Sequence, residues 1–126
     1  LVILELRDSP IADAQFNRLP VEQFEELRID GTQVTTAGLR ALQPAKSLVV
    51  LTLDGRQFDA DVAKLLSRLP ALRHIELVGR DVTDEHVQRL QAFAALESVV
   101  LTRTQATDDG VKALEAALPN CLVTTR

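Results

Sequence analysis

Apolar residues recur along the chain with a spacing close to 24 residues. The chain divides into units that start at Leu1, Phe24, Leu48, Leu72, Leu96 and, for a last partial unit, Cys121. Successive starts lie 23, 24, 24, 24 and 25 residues apart. The fourth, sixth and eleventh positions of each full unit are apolar, and the nineteenth is always leucine. A period of this length indicates a stack in which each unit buries its apolar side chains against its neighbours.

Each unit has two parts with different hydrophobic periods. The first part, such as "LVVLTL" at 48–53, has apolar residues at alternate positions, which predicts a strand. The second part, such as "VTDEHVQRLQAF" at 82–93, has apolar residues at helical spacing. Helices are predicted near 13–19, 36–44, 60–68, 84–93 and 108–117. The residues Thr35, Asp59, Thr83 and Thr107 stand where helix N-caps are expected. Strands that recur in this order, each followed by a helix, are expected to be parallel.

The strand segments carry a resemblance to a known family. The stretches "LVVLTLDG", "LRHIELVG" and "LESVVLTRT" resemble the L-x-x-L-x-L start of leucine-rich repeats. The stretches "GTQVTTAGLRAL" and "TQATDDGVKALEAALPNC" look like the short repeats common in planctomycete and related bacteria. The resemblance implies an α/β fold, a right-handed leucine-rich-repeat solenoid with parallel strands on its concave face and short helices on its convex face. It covers 1–126 as a single domain, divided into five full repeats and a partial terminal strand. The repeats are 1–23, 24–47, 48–71, 72–95 and 96–120, and the strand is 121–126.

The ninth position of the unit departs from the family pattern. The usual asparagine is replaced by Ser9, Thr32, Arg56, Arg80 and Thr104. We therefore expect no ladder of buried asparagines. Serine and threonine are expected to do part of its work, while Arg56 and Arg80 point to solvent.

The two ends of the chain differ in pattern. The start, "LVILEL", is an ordinary repeat, so Leu4, Leu6 and Ile11 lack a neighbouring unit on one side. We expect a fragment of a longer chain whose upstream residues form a cap; pairing of the first unit with another molecule is the alternative. A monomer is expected rather than a homodimer. At the other end, "CLVTTR" is expected to place Thr124 at the apolar fourth position.

Composition excludes several classes of partner and cofactor. The net charge is −4 without a cluster of Lys or Arg, so we expect no nucleic-acid partner. No apolar run is long enough for membrane insertion, and no targeting signal indicates a compartment. The chain contains no phosphate-binding loop or zinc-ligand spacing, so no cofactor and no metal are expected. Cys121 is expected to be a small core residue.

The concave strand face is the expected functional surface. The resemblance implies a non-catalytic protein–protein interaction module, a scaffold or recognition domain whose protein partner is unknown. Its candidate partner-binding residues are Arg28, Val50, Thr52, Arg73, His74, Glu76, Val78 and Val100. Equivalent positions on adjacent strands should be neighbours, which pairs Glu5 with Arg28, Arg7 with Asp30, and Arg73 with Glu97. The absence of Trp and Tyr argues against a very tight site.

An enzyme remains the alternative. Ser98, His74 and Glu76 would combine a nucleophile, a base and a carboxylate in a small hydrolase-like enzyme. The chain has no G-x-S-x-G elbow, and an open strand face offers no oxyanion hole. His86 is expected on the surface, and Asp30 and Asp54 are expected to be exposed carboxylates.

Overall fold

The computed structural model describes residues 2–126 as alternating strands and short helices. The strands are β1 (Ile3–Glu5), β2 (Glu26–Arg28), β3 (Val50–Asp54), β4 (His74–Val78), β5 (Ser98–Thr102) and β6 (Leu122–Thr125). The helices are α1 (Asp13–Phe16), α2 (Thr36–Leu39), α3 (Ala60–Leu66), α4 (Asp84–Arg89) and α5 (Asp108–Ala117). Single 3₁₀ turns lie at Val21–Gln23, Arg40–Leu42, Gly55–Gln57 and Leu90–Ala92. All six strands form one parallel sheet in chain order, so the fold is α/β as expected.

The helices begin where the sequence predicts. The last four start directly after Thr35, Asp59, Thr83 and Thr107, and the side chains of Asp59 and Thr107 accept hydrogen bonds from the first turn. The first helix ends at Phe16 rather than near 19. Its N-cap is Ala12, whose side chain cannot accept a hydrogen bond, so α1 lacks the cap that Asp59 and Thr107 provide for α3 and α5. The Gln15 side chain instead accepts from the Ala12 amide at 3.1 Å.

The core lies between the sheet and the helices. Alternate strand residues point into it, and Leu27, Leu51, Leu53, Ile75 and Leu77 are each at most 1% exposed. The leucines at the nineteenth position meet them from the helices and are fully buried from the second unit onward: Leu42, Leu66, Leu90 and Leu114. The remaining strand side chains lie on the opposite side of the sheet, which we call the open face.

The last strand has a different register from the one expected. At the start of β5, the Arg73 carbonyl accepts from the amides of both Glu97 and Ser98, so two residues oppose one. The strands β2, β3 and β4 begin with the same shared acceptor. At β6 the Glu97 carbonyl accepts from Leu122, and Val123 pairs with Val99. Without the extra residue, Val123 occupies the apolar fourth column and packs on the core. The expectation that Thr124 stands there is wrong.

The ninth-position residues behave partly as expected. The hydroxyls of Ser9, Thr32 and Thr104 each accept from the amide two residues further on, at 3.3 Å. Arg56 is half-exposed, but its guanidinium donates to the Thr32 carbonyl at 2.5 Å, so it does not simply point to solvent.

A buried glutamine supplies hydrogen bonds that the sequence analysis did not assign. Gln57 is 0% exposed, and its amide nitrogen lies 3.0–3.2 Å from the Ile29 carbonyl, the Thr32 hydroxyl and the Val34 carbonyl. Its amide oxygen accepts from the Asp54 amide. This one side chain of the third unit therefore supplies hydrogen bonds to polar groups in the loop of the second unit.

The edge strands expose apolar side chains. Ile3 on β1 is 50% exposed and Leu122 on β6 is 68% exposed. Leu4, Leu6 and Ile11 are only partly buried against the core. An upstream cap or a pairing partner stays a prediction. Among residues 2–126, no helix has the length and apolar character needed to cross a bilayer.

Candidate partner-binding surface

The open face consists of rows of side chains in register across the strands. The row at the third position is Ile3, Glu26, Val50, His74, Ser98 and Leu122. The row at the fifth position is Glu5, Arg28, Thr52, Glu76, Val100 and Thr124. Adjacent strands are spaced by about 4.8 Å, so neighbours in one row are in contact range.

Four side chains on the central strands form what we call the central patch: Val50, His74, Ser98 and Val100. All four are half-buried. Nδ1 of His74 lies 2.7 Å from Oγ of Ser98, which fixes the two polar members to each other. The patch therefore combines two aliphatic side chains with a paired imidazole and hydroxyl.

Two of the candidate binding residues are buried. Thr52 is 1% exposed and Val78 is 6% exposed, although both lie on the open-face side of their strands. Thr52 stands in register between the longer side chains of Arg28 and Glu76. A short side chain between two long ones is covered by them. Thr52 and Val78 therefore present little surface in this structure, contrary to their expected exposure, and their part in binding stays a prediction.

Arg28 is paired within its own strand. Its Nε donates to Glu26 at 2.8 Å, whereas the sequence analysis paired it with Glu5, its neighbour in the row. The hydrogen bond to Glu26 is the main cause that raises the pKa of Arg28; burial opposes it, and the charges of Glu26, Glu5 and Glu76 add to it. Three carboxylates thus surround this cation, so it is not a free anchor for an acidic partner group.

The other polar candidates also have internal partners. Arg73 donates to the carbonyls of Pro70 and Leu72 at 3.1 and 3.0 Å and lies 3.5 Å from Glu97, which confirms the Arg73–Glu97 neighbourhood. Glu76 accepts from the Thr102 hydroxyl at 2.6 Å. These residues form a polar rim that is half-buried and whose hydrogen bonds are already made. Val50, His74 and Val100 are half-buried as well and supply the rest of the accessible surface among the candidates.

The geometry brings together two members of the hydrolase-like triad. His74 contacts Ser98, but the Glu76 carboxylate is bonded to Thr102. Within the described part of the chain, Nε2 of His74 has no hydrogen-bond partner. In a nucleophile triad the second imidazole nitrogen is held by a carboxylate. The pair can exchange a proton locally, and no third group orients it.

The acidic residues at the ends of the strands are less exposed than expected. Asp30 is 6% exposed and lies 3.1 Å from Nε of Arg7, as the row pairing predicts. Burial raises the pKa of Asp30, and Arg7 opposes this. Asp54 is half-buried and accepts from the amides of Gly31 and Gln57. Among residues 2–126, no group of three or more His, Cys, Asp or Glu side chains is placed to hold a metal ion.

His86 is not a free surface residue. It is half-buried, and its Nδ1 accepts from the Thr83 amide at 2.9 Å. Nε2 therefore carries the proton and donates to the Gly55 carbonyl at 3.0 Å. The ring links the fourth unit to the third, which is a structural role on the side away from the central patch.

No protein-family model matches the chain, and no curated protein matches it either. Functional inference therefore rests on the residues and their geometry.

Proposed function

We propose that this chain is a non-catalytic protein–protein interaction module that binds a partner through the open face of its sheet. In this proposal the repeated strand–helix units form a right-handed solenoid of the leucine-rich-repeat type, with the open face concave. Support comes from the constant offset between paired strands, which is 24 residues at every pair after the first.

The half-exposed central patch is the observation that carries the proposal. Val50 and Val100 present apolar surface. His74 and Ser98 follow Val50 in the third-position row, and Val100 lies on the strand of Ser98 in the fifth-position row. Strand residues are held by the sheet and by the core beneath, so this surface loses little conformational freedom on binding. The rim of Arg28, Arg73 and Glu76 has its hydrogen bonds made internally and contributes mainly to partner selection.

The composition of the patch limits the affinity that we expect. Hot spots in protein interfaces are dominated by Trp, Tyr and Arg, and the chain has no Trp or Tyr. The arginines at the rim are already paired. A micromolar complex is more consistent with this surface than a nanomolar one.

Affinity capture with matched variants tests the proposal. The immobilised chain is exposed to lysate of its source cells, beside the variants Val50→Glu and Val100→Glu. A charge at either position should abolish retention of the specific partner, because it would be desolvated at the centre of the interface. Lys112→Glu, an exposed position on α5, is the control and should retain the partner. Equal retention by all four proteins would exclude the open face as the binding surface.

The His74–Ser98 contact favours one second candidate, a small hydrolase-like enzyme using Ser98, His74 and Glu76. An activated serine hydroxyl would transfer acyl groups from simple esters such as p-nitrophenyl acetate. Ser98→Ala should then abolish ester hydrolysis measured above the background of free imidazole. Unchanged turnover in Ser98→Ala would exclude this candidate and leave the binding proposal untouched.

A further inference from the structure

A groove lies on the helix side of the molecule, between the second and third units. Two adjoining cavities of about 280 and 460 Å³ share Gln43, Asp61 and Leu65 as lining residues. The groove is far from the central patch, since it is formed by helices and not by the open face of the sheet.

The groove lies beside the helical segments of the second and third units. Helix α2 continues into the 3₁₀ turn Arg40–Leu42 and is followed by Gln43 and Pro44. Proline lacks the amide that another helical turn needs, so the helical segment ends there. Helix α3 covers the seven equivalent positions of the next unit. Arg40 and Gln43 line the groove from the second unit, and Asp61 and Leu65 line it from the third.

Four cationic side chains surround the groove: Arg40, Lys46, Lys64 and Arg68. All four are exposed, and in the described part of the chain none of these side chains forms an ion pair or a hydrogen bond.

The acidic residues of the groove offset only part of this charge. Asp59 and Asp61 contribute two negative charges against the four positive ones, so the lining keeps an excess of two positive charges. Asp59 also caps α3, since its carboxylate accepts from the Val62 amide. The groove is therefore a positive region in a chain of net charge −4.

The floor of the groove is aliphatic. It is made by Val62, Leu65, Leu69 and Pro70. Val62 and Leu69 are buried at 3% and 7% exposure, and Leu65 is half-buried and forms the accessible part. An aliphatic floor with a cationic rim is complementary to a peptide that alternates large apolar and acidic side chains.

We propose that this groove is a second docking site, which binds an acidic peptide segment of a partner protein. The acidic side chains pair with Arg40, Lys46, Lys64 and Arg68, and an apolar side chain covers Leu65. Single-stranded nucleic acid fits less well, because no groove residue is aromatic and bases need such a stacking surface. The site does not depend on the function proposed for the open face.

Peptide selection followed by direct binding measurement tests this site. Random peptides displayed on phage are selected on the immobilised chain, and the most enriched peptide is synthesised with a fluorescent label. We expect enriched sequences with several Asp or Glu residues around a large apolar residue. In fluorescence anisotropy, the double variant Lys64→Glu/Arg68→Glu should weaken binding by about tenfold or more, and added salt should weaken it further.

Three controls make the outcome decisive. Lys112→Glu carries the same charge reversal outside the groove and should bind the peptide like the wild type. Val50→Glu should also bind it, which separates this site from the open face. Thermal unfolding of the double variant should match the wild type, because both substituted side chains are exposed and unpaired.

Other results would overturn the proposal. These are no enrichment, enrichment of peptides without acidic residues, or equal affinity of the double variant and the wild type. Tighter binding of a labelled single-stranded oligonucleotide than of the peptide, lost in the same double variant, would assign the groove to nucleic acid instead.

Discussion

The Asp30 carboxyl lies where water has little access. Nε of Arg7 donates to its Oδ2, while Oδ1, although 3.1 Å from the same nitrogen, receives no hydrogen bond of its own within residues 2–126. Burial raises the pKa of its carboxyl above the ordinary value of 3.8, in spite of Arg7. The folded chain therefore binds this proton more tightly than the unfolded chain. The stability that it contributes is complete at pH values below 3.8 and is lost as the pH rises through the raised pKa.

The variant Asp30→Asn removes this titration. Its free energy of unfolding, relative to the wild type, should therefore rise as the pH is raised from about 3 to about 7. Urea unfolding at a series of pH values measures the difference. Glu115→Gln, at an exposed position of α5, is the control for a general charge effect. A constant difference between Asp30→Asn and the wild type would contradict the prediction.

Gln57 is a buried residue whose side chain donates hydrogen bonds to the backbone of the preceding unit. The variant Gln57→Leu keeps the volume but leaves the Ile29 and Val34 carbonyls without their donor. We expect a loss of about 2–3 kcal/mol in the free energy of unfolding. Gln105, the exposed equivalent in the fifth unit, is the matched position, and Gln105→Leu should change stability by less than about 0.5 kcal/mol. Equal effects of the two substitutions would show that the hydrogen bonds of Gln57 carry no stability.

The neighbours of a side chain across the sheet could be predicted from the sequence, whereas the burial of some individual side chains could not. The rows of the open face follow from the period, and so do the Arg7–Asp30 and Arg73–Glu97 neighbours. The burial of Thr52 and Val78 depends on the side chains beside them in each row, which the two-residue strand period does not describe. Three units have glutamine at their tenth position: Gln33, Gln57 and Gln105. Of these three, Gln57 alone is buried, and nothing in the sequence distinguishes it from the other two.

Neighbouring helices are joined through an aspartate at the start of one and a threonine cap of the next. Asp84, first in α4, accepts from the amide and the hydroxyl of Thr107 at 2.8 and 2.6 Å. Those hydrogen bonds hold the pKa of Asp84 below its usual value. Asp13 makes the same two contacts with Thr35. In both places the third residue after the threonine is glycine, because a Cβ there would collide with the aspartate.

This arrangement predicts an unusual effect of alanine in a helix. Gly110→Ala should stabilise the chain by clearly less than the roughly 1 kcal/mol that replacing a helical glycine by alanine usually gives, because its methyl group displaces the Asp84 carboxylate from Thr107. Adding Asp84→Ala removes the collision, so the double variant should be more stable than the sum of the two single effects predicts. Chemical unfolding of the three variants measures the coupling. Strict additivity would show that the carboxylate and the methyl group do not meet.

The elements were largely readable from the sequence, and the exceptions have physical causes. The caps Thr35, Asp59, Thr83 and Thr107 mark helix starts because their side chains and the apolar spacing agree. The register of β6 is marked in the period, since Val123 follows Val99 by the same 24 residues that separate the earlier paired strands after the first pair. The expected register is wrong because the last unit is counted from Cys121, 25 residues after Leu96, although β6 lacks the extra residue at its start.

The molecule as a whole depends on contact between units. Each unit contributes one strand and one short helix, and its apolar columns are buried only where a neighbour covers them. The central leucines are fully buried, whereas Leu4 at the edge is half-buried. The free energy of local unfolding is therefore expected to be greatest for the strands at the middle of the sheet. Both proposed binding surfaces, the central patch and the groove between α2 and α3, lie on these inner units.

Because each unit depends on its neighbours for burial, a charge in the middle of the core should affect the whole chain. Leu51→Asp places a carboxylate in the third strand where the native side chain is 0% exposed, and it should unfold the whole chain cooperatively. Leu4→Asp should reduce the free energy of unfolding much less, because that position is half-buried.

Cys121, at the far end and 8% exposed, provides a second probe, since burial raises the pKa of its thiol and slows its reaction with thiol reagents. In Leu51→Asp the thiol should react as fast as it does in the wild-type chain unfolded in urea. Circular dichroism of this variant should show no native-like melting transition. A protected Cys121 or a native-like transition in this variant would mean that the units fold independently and that Leu51 does not lie in a shared core.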